Sequence, residues 1–141
     1  MSKLVAPHGG KGLVCCLLEG KALEDEKKKA AGLKQIEISS RAKGDLIMMG
    51  IGGFSPLKGF MNKADWKSVC EKMTLSDGTF WPVPVTLDIA AADAKGLKPG
   101  EEVALVRKGE IMATMKVEEV YEMTEADKKW ECELVFKGSG P

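Results

Sequence analysis

The side chains best suited to chemistry are scarce in this chain, and their scarcity sets the first limits. His8 is the only histidine, and Arg41 and Arg107 are the only arginines. Most acid/base schemes built on imidazole therefore lack their parts, and the two guanidinium groups lie far apart in sequence. Of four cysteines, Cys15 and Cys16 are adjacent while Cys70 and Cys132 stand alone, so no Cys-X-X-Cys spacing is available to a metal. They read as buried or half-buried free thiols in a reducing compartment, and a cytoplasmic protein is expected.

Two glycine-rich stretches invite a nucleotide reading. Gly9-Gly10-Lys11-Gly12 could bring backbone N–H groups close to an anion, but a phosphate loop needs a preceding strand and a Ser or Thr after its lysine, and Gly12 and Leu13 follow instead. Gly50-Ile51-Gly52-Gly53 lacks the last glycine of a dinucleotide fingerprint, where Ser55 stands, and reads as a turn between helices. Asp45, Asp65, Asp77, Asp88 and Asp93 are too irregularly spaced for a calcium loop and read as caps, turns or surface residues. Trp66, Trp81 and Trp130 belong to only eight aromatics, without interleaved basic residues, and read as core anchors rather than base-stacking platforms. Met48-Met49 and Met112 with Met115 read as core filler.

The segment Gly53-Phe54-Ser55-Pro56-Leu57-Lys58-Gly59-Phe60-Met61-Asn62 is different, because it concentrates apolar side chains in a loop between two helices. Such a loop covers something, either the domain's own core or a partner surface.

The elements that hold these residues follow from composition and periodicity. Hydrophobic residues at 44% and charged residues at 30% describe an ordinary folded domain of one core. Twenty-one basic residues balance twenty-one acidic ones, so no field draws the chain to nucleic acid or to a membrane surface. No apolar run is long enough to span a bilayer or to act as a signal peptide.

Met1 to Gly12 reads as an extended arm, and Leu13 to Leu18 as a buried extended segment. Lys21 to Ala31 is a helix closed by Gly32, and Gln35 to Ile38 a strand with both isoleucines on one face. Ser39 or Ser40 caps a helix running through Met49. Asn62 caps the next helix, with Asp65 in its first turn and Trp66, Val69, Cys70 and Met73 on one face.

The second half reads as strands. Thr79 to Ile89 is an edge or irregular strand, because Pro82 and Pro84 remove two donors. Lys98-Pro99-Gly100 is a turn. Glu102 to Val106 and Ile111 to Tyr121 form a hairpin with Lys108-Gly109 at its tip. Thr124 caps one helical turn through Lys128, and Trp130 to Phe136 alternates as a last strand. The fold class is therefore α+β, a small partly open antiparallel β-barrel with helices packed outside it.

Two blocks carry a resemblance to a known family. Phe54-Ser55-Pro56-Leu57 followed by Gly59-Phe60-Met61, and Asp77-Gly78-Thr79 followed by Trp81-Pro82-Val83-Pro84-Val85-Thr86-Leu87-Asp88, resemble motifs near the start of the ATP sulfurylases, or sulfate adenylyltransferases. Pro7-His8-Gly9-Gly10 and the stretch from Lys98 to Val106 also resemble that family, so the likeness covers nearly the whole chain.

The resemblance implies a PUA-like N-terminal domain over residues 1–137, with 138–141 beginning a linker to a catalytic domain that lies outside this chain. It implies an enzyme that joins ATP, supplied with magnesium, and sulfate into adenosine 5′-phosphosulfate and releases pyrophosphate. The family holds its reacting groups on Gln-X-Arg-Asn-Pro and His-X-X-His motifs, and neither occurs here. No catalytic, cofactor-binding or metal residue is therefore expected in this chain. Its expected partners are the catalytic domain of the same polypeptide and further copies in a homo-oligomer, with no nucleic acid and no membrane. The alternative is a PUA-like RNA-binding or protein-interaction module.

Overall fold

A computed structural model describes residues 4–136, so the Lys137 to Pro141 tail and the boundary at 137 lie outside the described residues. The order of elements is α1 (Gly20–Ala30), β1 (Lys34–Glu37), α2 (Ser40–Gly50), α3 (Lys63–Lys72), α4 (Ala91–Ala94), β2 (Glu102–Arg107), β3 (Glu110–Lys116) and α5 (Glu125–Glu131). A wider, π-type turn from Cys132 to Phe136 continues α5.

The sheet is three-stranded and open, in the order β1-β2-β3. Strand β2 is central, and Val103, Ala104, Leu105 and Val106 are all buried, as a strand covered on both faces requires. Strand β1 lies parallel to it, with Ile36 opposite Leu105, and both Ile36 and Ile38 are buried on one face as their spacing predicts. The hairpin β2-β3 turns through Lys108 and Gly109 at φ values of 51° and 81°, the paired positive angles of a tight two-residue turn.

The sheet departs from the predicted all-antiparallel barrel. β1 reaches β2 only after a long crossover through three helices, which is the connection a parallel pair needs. β3 ends at Lys116 instead of Tyr121, because Glu118 and Glu119 turn away to bond Asn62 and Lys63.

Helix starts follow their caps. Ser39 accepts from the Ala42 N–H, and Asn62 accepts from the Asp65 N–H at 2.9 Å. On α3, Trp66, Val69 and Cys70 are buried, but Met73 is half exposed. It adopts a left-handed conformation as the C-cap, which swings its side chain off the buried face.

Three further expectations are corrected. Thr79 to Ile89 forms no ladder and holds one isolated bridge, Thr74 to Phe80, since two prolines interrupt the donors; the bonds before both are trans, and the cis bond among the described residues is Ser55–Pro56. Trp130 to Phe136 is helical, because Thr124 and Asp127 form a capping box that starts α5 and carries it past Lys128. Leu13 to Leu18 is extended but, apart from the half-buried Val14, exposed, lying along the end of α2 through Cys16 N–H to Met49 and Leu17 N–H to Gly50.

Two apolar cores result. One joins Ile36, Ile38, Ala42, Val103, Leu105 and Val117 under the sheet, and the other joins Met49, Leu57, Met61, Val69, Leu75 and Val85 around α3. Phe60 packs against both, so the apolar loop between α2 and α3 links the two. Among the described residues no helix is long and apolar enough to cross a membrane.

Candidate functional site

The Pro7 to Gly10, Gly53 to Met61 and Asp77 to Asp88 stretches singled out in the sequence meet in space. Ser55 sits at the centre of the Gly53 to Met61 loop and is buried, with its hydroxyl donating to the Gly52 carbonyl at 2.7 Å and accepting from the Val14 N–H at 2.9 Å. A hydroxyl can do both at once, so one side chain ties the loop to itself and to the N-terminal segment. Leu57 and Met61 point into the α3 core, and the Met61 N–H donates to the Val85 carbonyl at 2.8 Å. The loop is thus a lid over the domain's own core, the first of its two predicted roles.

The Asp77 to Asp88 block closes over this lid. Phe54 meets Trp81 edge-on at 5.7 Å between ring centroids, and the His8 ring lies tilted against the same indole at 6.1 Å. His8 Nε2 is 2.6 Å from the Phe80 carbonyl, which fixes it as the donor in that contact. The one histidine of the chain is therefore held by a backbone oxygen and an indole. Trp66 is buried, while Trp81 and Trp130 are half-buried, and all three pack as anchors.

The glycines serve packing. A Cβ on Gly9 would stand 2.9 Å from Pro56 Cγ, and one on Gly52 would stand 2.9 Å from Cys15 Sγ, and both residues have positive φ. Only glycine fits either place. The Gly10 N–H is already spent on the Pro7 carbonyl, and Lys11 pairs with Asp77 across 3.7 Å, so the glycine-rich arm presents a turn and an ion pair in place of a phosphate cradle.

A second polar cluster fastens the C-terminal segment to α3. Trp66 Nε1 donates to Glu131 at 2.7 Å, the Trp66 and Trp130 rings meet at a tilt of 59° with centroids 5.3 Å apart, Asn62 Nδ2 donates to Glu118, and the Tyr121 hydroxyl donates to the Met61 carbonyl. Burial, followed by the nearby Glu131 and Glu71 carboxylates, pushes the Cys70 thiol up to about 12, and burial pushes Tyr121 to the same range. Both are kept neutral and neither is poised as a nucleophile. Burial also raises the Asp45 carboxyl, partly offset by Arg41.

Asp65 and Asp77 serve turns as expected, whereas Asp45 lies half-buried within α2. Asp65 in the first turn of α3 accepts from Ser76, and Asp77 accepts from the Thr79 N–H, a bond that holds its carboxyl below the usual range. Among the described residues no three His, Cys, Asp or Glu side chains converge as metal ligands. Sequence reasoning missed the Trp66–Glu131 bond and the exposure of Leu13, Leu17 and Leu18, since neither leaves a periodic signal.

Comparison with known proteins follows the same blocks. The family described as PUA-like domain matches residues 5–141. The chain is 92% identical over its whole length to a sulfate adenylyltransferase of Desulfovibrio desulfuricans, covering 33% of that protein. It is 70% identical to one from Desulfatibacillum aliphaticivorans and 50% identical to one from Entamoeba histolytica, covering 34% and 33% of them from 99% and 96% of its own length. The chain thus spans about a third of the length of the curated relatives it matches.

Among solved structures it resembles a hexameric APS kinase from Thiobacillus denitrificans, at 33% identity and a TM-score of 0.74, over 84% of this chain and 24% of that one. An α+β fold whose motif blocks lock together, matched along nearly its full length, leads to one assignment: the chain belongs to the PUA-like domain family.

Proposed function

We propose that this chain is the PUA-like N-terminal domain of a sulfate adenylyltransferase, and that its own part is structural. The parent enzyme forms adenosine 5′-phosphosulfate and pyrophosphate from ATP and sulfate. The observation that carries the reading is the 92% identity to a protein of that name, which runs through all three interlocked blocks.

Attack of sulfate on an α-phosphate needs fixed cations and donors around the developing charge. Here Lys11 is paired with Asp77, and Arg107 is held by Glu37 at 3.5 Å and by the Ile38 carbonyl. Lys11 and Arg107 are thus engaged within the fold, and on this reading ATP, with its magnesium, and sulfate bind on the catalytic domain of the same polypeptide. The boundary falls near residue 137, and 138–141 begin the connection.

The open sheet forms part of a small, partly open barrel, with the Met61–Val85 bond joining its lid to the segment after Trp81. Exposed free thiols at Cys15, Cys16 and Cys132 fit a cytoplasmic home. The parent self-associates, as the hexamer in the name of the solved relative illustrates for that protein.

An RNA-binding role is disfavoured by the charge pattern. Lys11, Lys27, Lys29, Lys67, Arg107 and Lys128 each face an acidic partner, and the net charge of the chain is zero. The test is sulfate-dependent release of pyrophosphate from ATP by the long protein that contains this chain. Release supports the reading, and its absence in a folded preparation overturns it.

A further inference from the structure

Six large apolar side chains stand in solvent on one side of the domain. Leu13, Leu17 and Leu18 come from the extended segment before α1, and Ile47, Met48 and Ile51 from the end of α2. Leu13, Leu17 and Ile51 are 67%, 62% and 60% exposed. Single exposed leucines need no explanation, but a contiguous group does.

Contiguity is set by the backbone. The Cys16 and Leu17 N–H groups donate to the Met49 and Gly50 carbonyls at 3.1 and 3.2 Å, which lays the segment along the end of α2. Leu17 Cδ1 lies 3.8 Å from where a Cβ on Gly50 would stand, and Leu13 Cδ2 lies 3.5 Å from the same point on Gly52. Ile47 and Ile51 are four residues apart and share a helix face. No charged residue occurs from Leu13 to Leu18 or from Leu46 to Leu57, the depletion that marks the centre of an interface.

We infer that this face is the seat of the remaining polypeptide of the parent enzyme, an inference that rests on the proposed function. Size selects that occupant over a second copy. A stable interface between separate chains uses about 20–30 residues a side, and six side chains are a small part of that. A tethered domain needs far less, because its effective concentration reaches about the millimolar range. The relatives also carry about two thirds of their length outside the region matched here, which supplies the occupant.

Cys15 and Cys16 lie inside the face and are exposed, so they report on it directly. The experiment is alkylation of these thiols with iodoacetamide, followed by peptide mass spectrometry, on this chain and on the long protein. The expected result is labelling at least about tenfold slower in the long protein. A Leu17→Ser, Ile51→Ser double variant restores the rate there while leaving the melting midpoint of the shorter chain unchanged.

Equal rates in the two proteins overturn the inference. Labelling of the short chain that slows as its concentration rises also overturns it, because the face then belongs to a second copy. Pyrophosphate release measured on the same long protein keeps the two ideas apart. Activity with unprotected thiols removes the docking face alone, and protected thiols without activity remove the proposed reaction alone.

Discussion

Phe54 and Trp81 meet edge to face, with ring centroids 5.7 Å apart and planes at 89°, and this contact joins the lid between α2 and α3 to the proline-rich segment that follows α3. Aromatic pairs in this geometry contribute about 0.5–1.5 kcal/mol beyond burial. A double-mutant cycle of Phe54→Leu and Trp81→Leu should return a coupling energy in that range, read from chemical unfolding. Additive single effects would mean that the two blocks pack independently.

Ser55 answers two backbone groups from a buried position. Ser55→Ala leaves the Val14 N–H without its acceptor and should cost about 1–3 kcal/mol. The loss should fall on the Leu13 to Leu18 segment first, so hydrogen exchange there should quicken more than exchange in β2. Uniform quickening across both would place the effect elsewhere.

Asn62 caps α3 with its Oδ1 and donates to Glu118 with its Nδ2. Asn62→Ala should therefore lower stability by about 0.5–2 kcal/mol through the cap alone. Asn62→Asp keeps the cap but sets a second carboxylate against Glu118, so it should recover part of the loss and no more. Full recovery would show that the Glu118 contact contributes nothing.

Alkaline pH should unfold the domain through Cys70 and Tyr121. Burial raises the thiol from 9.0 and the phenol from 10.0, each to about 12, with neighbouring carboxylates adding to both. An acid whose folded pKa is raised stabilises the fold fully below its unfolded value, and that stabilisation is lost as pH climbs through the folded value. The melting midpoint should hold to about pH 9 and fall between about 9 and 12. Tyr121 is the only tyrosine, so phenolate absorbance reports it alone and should rise in step with unfolding. Ionisation at ordinary pH in a folded sample would contradict the burial.

What the sequence made legible was local. Ser39 and Asn62 cap the helices they precede, Ile36 and Ile38 share a buried face, and Lys108-Gly109 turns its hairpin, because each depends on a few neighbouring residues. Long-range terms were less legible. Trp130 to Phe136 alternates like a strand but follows a capping box, whose helix is held through Trp130 and Glu131 against Trp66, a residue remote in sequence. The parallel pairing of β1 with β2 likewise depends on the whole crossover between them. Leu13 to Leu18 has the composition of a core segment and the exposure of a surface, a conflict that the inferred docking of the remaining polypeptide would remove.

The division of labour is tested most directly by assaying pyrophosphate release from ATP and sulfate with this chain and with the long protein at equal concentration. The account predicts sulfate-dependent release from the long protein and none above background from this chain, although both are folded. Release by this chain at a comparable rate would contradict it.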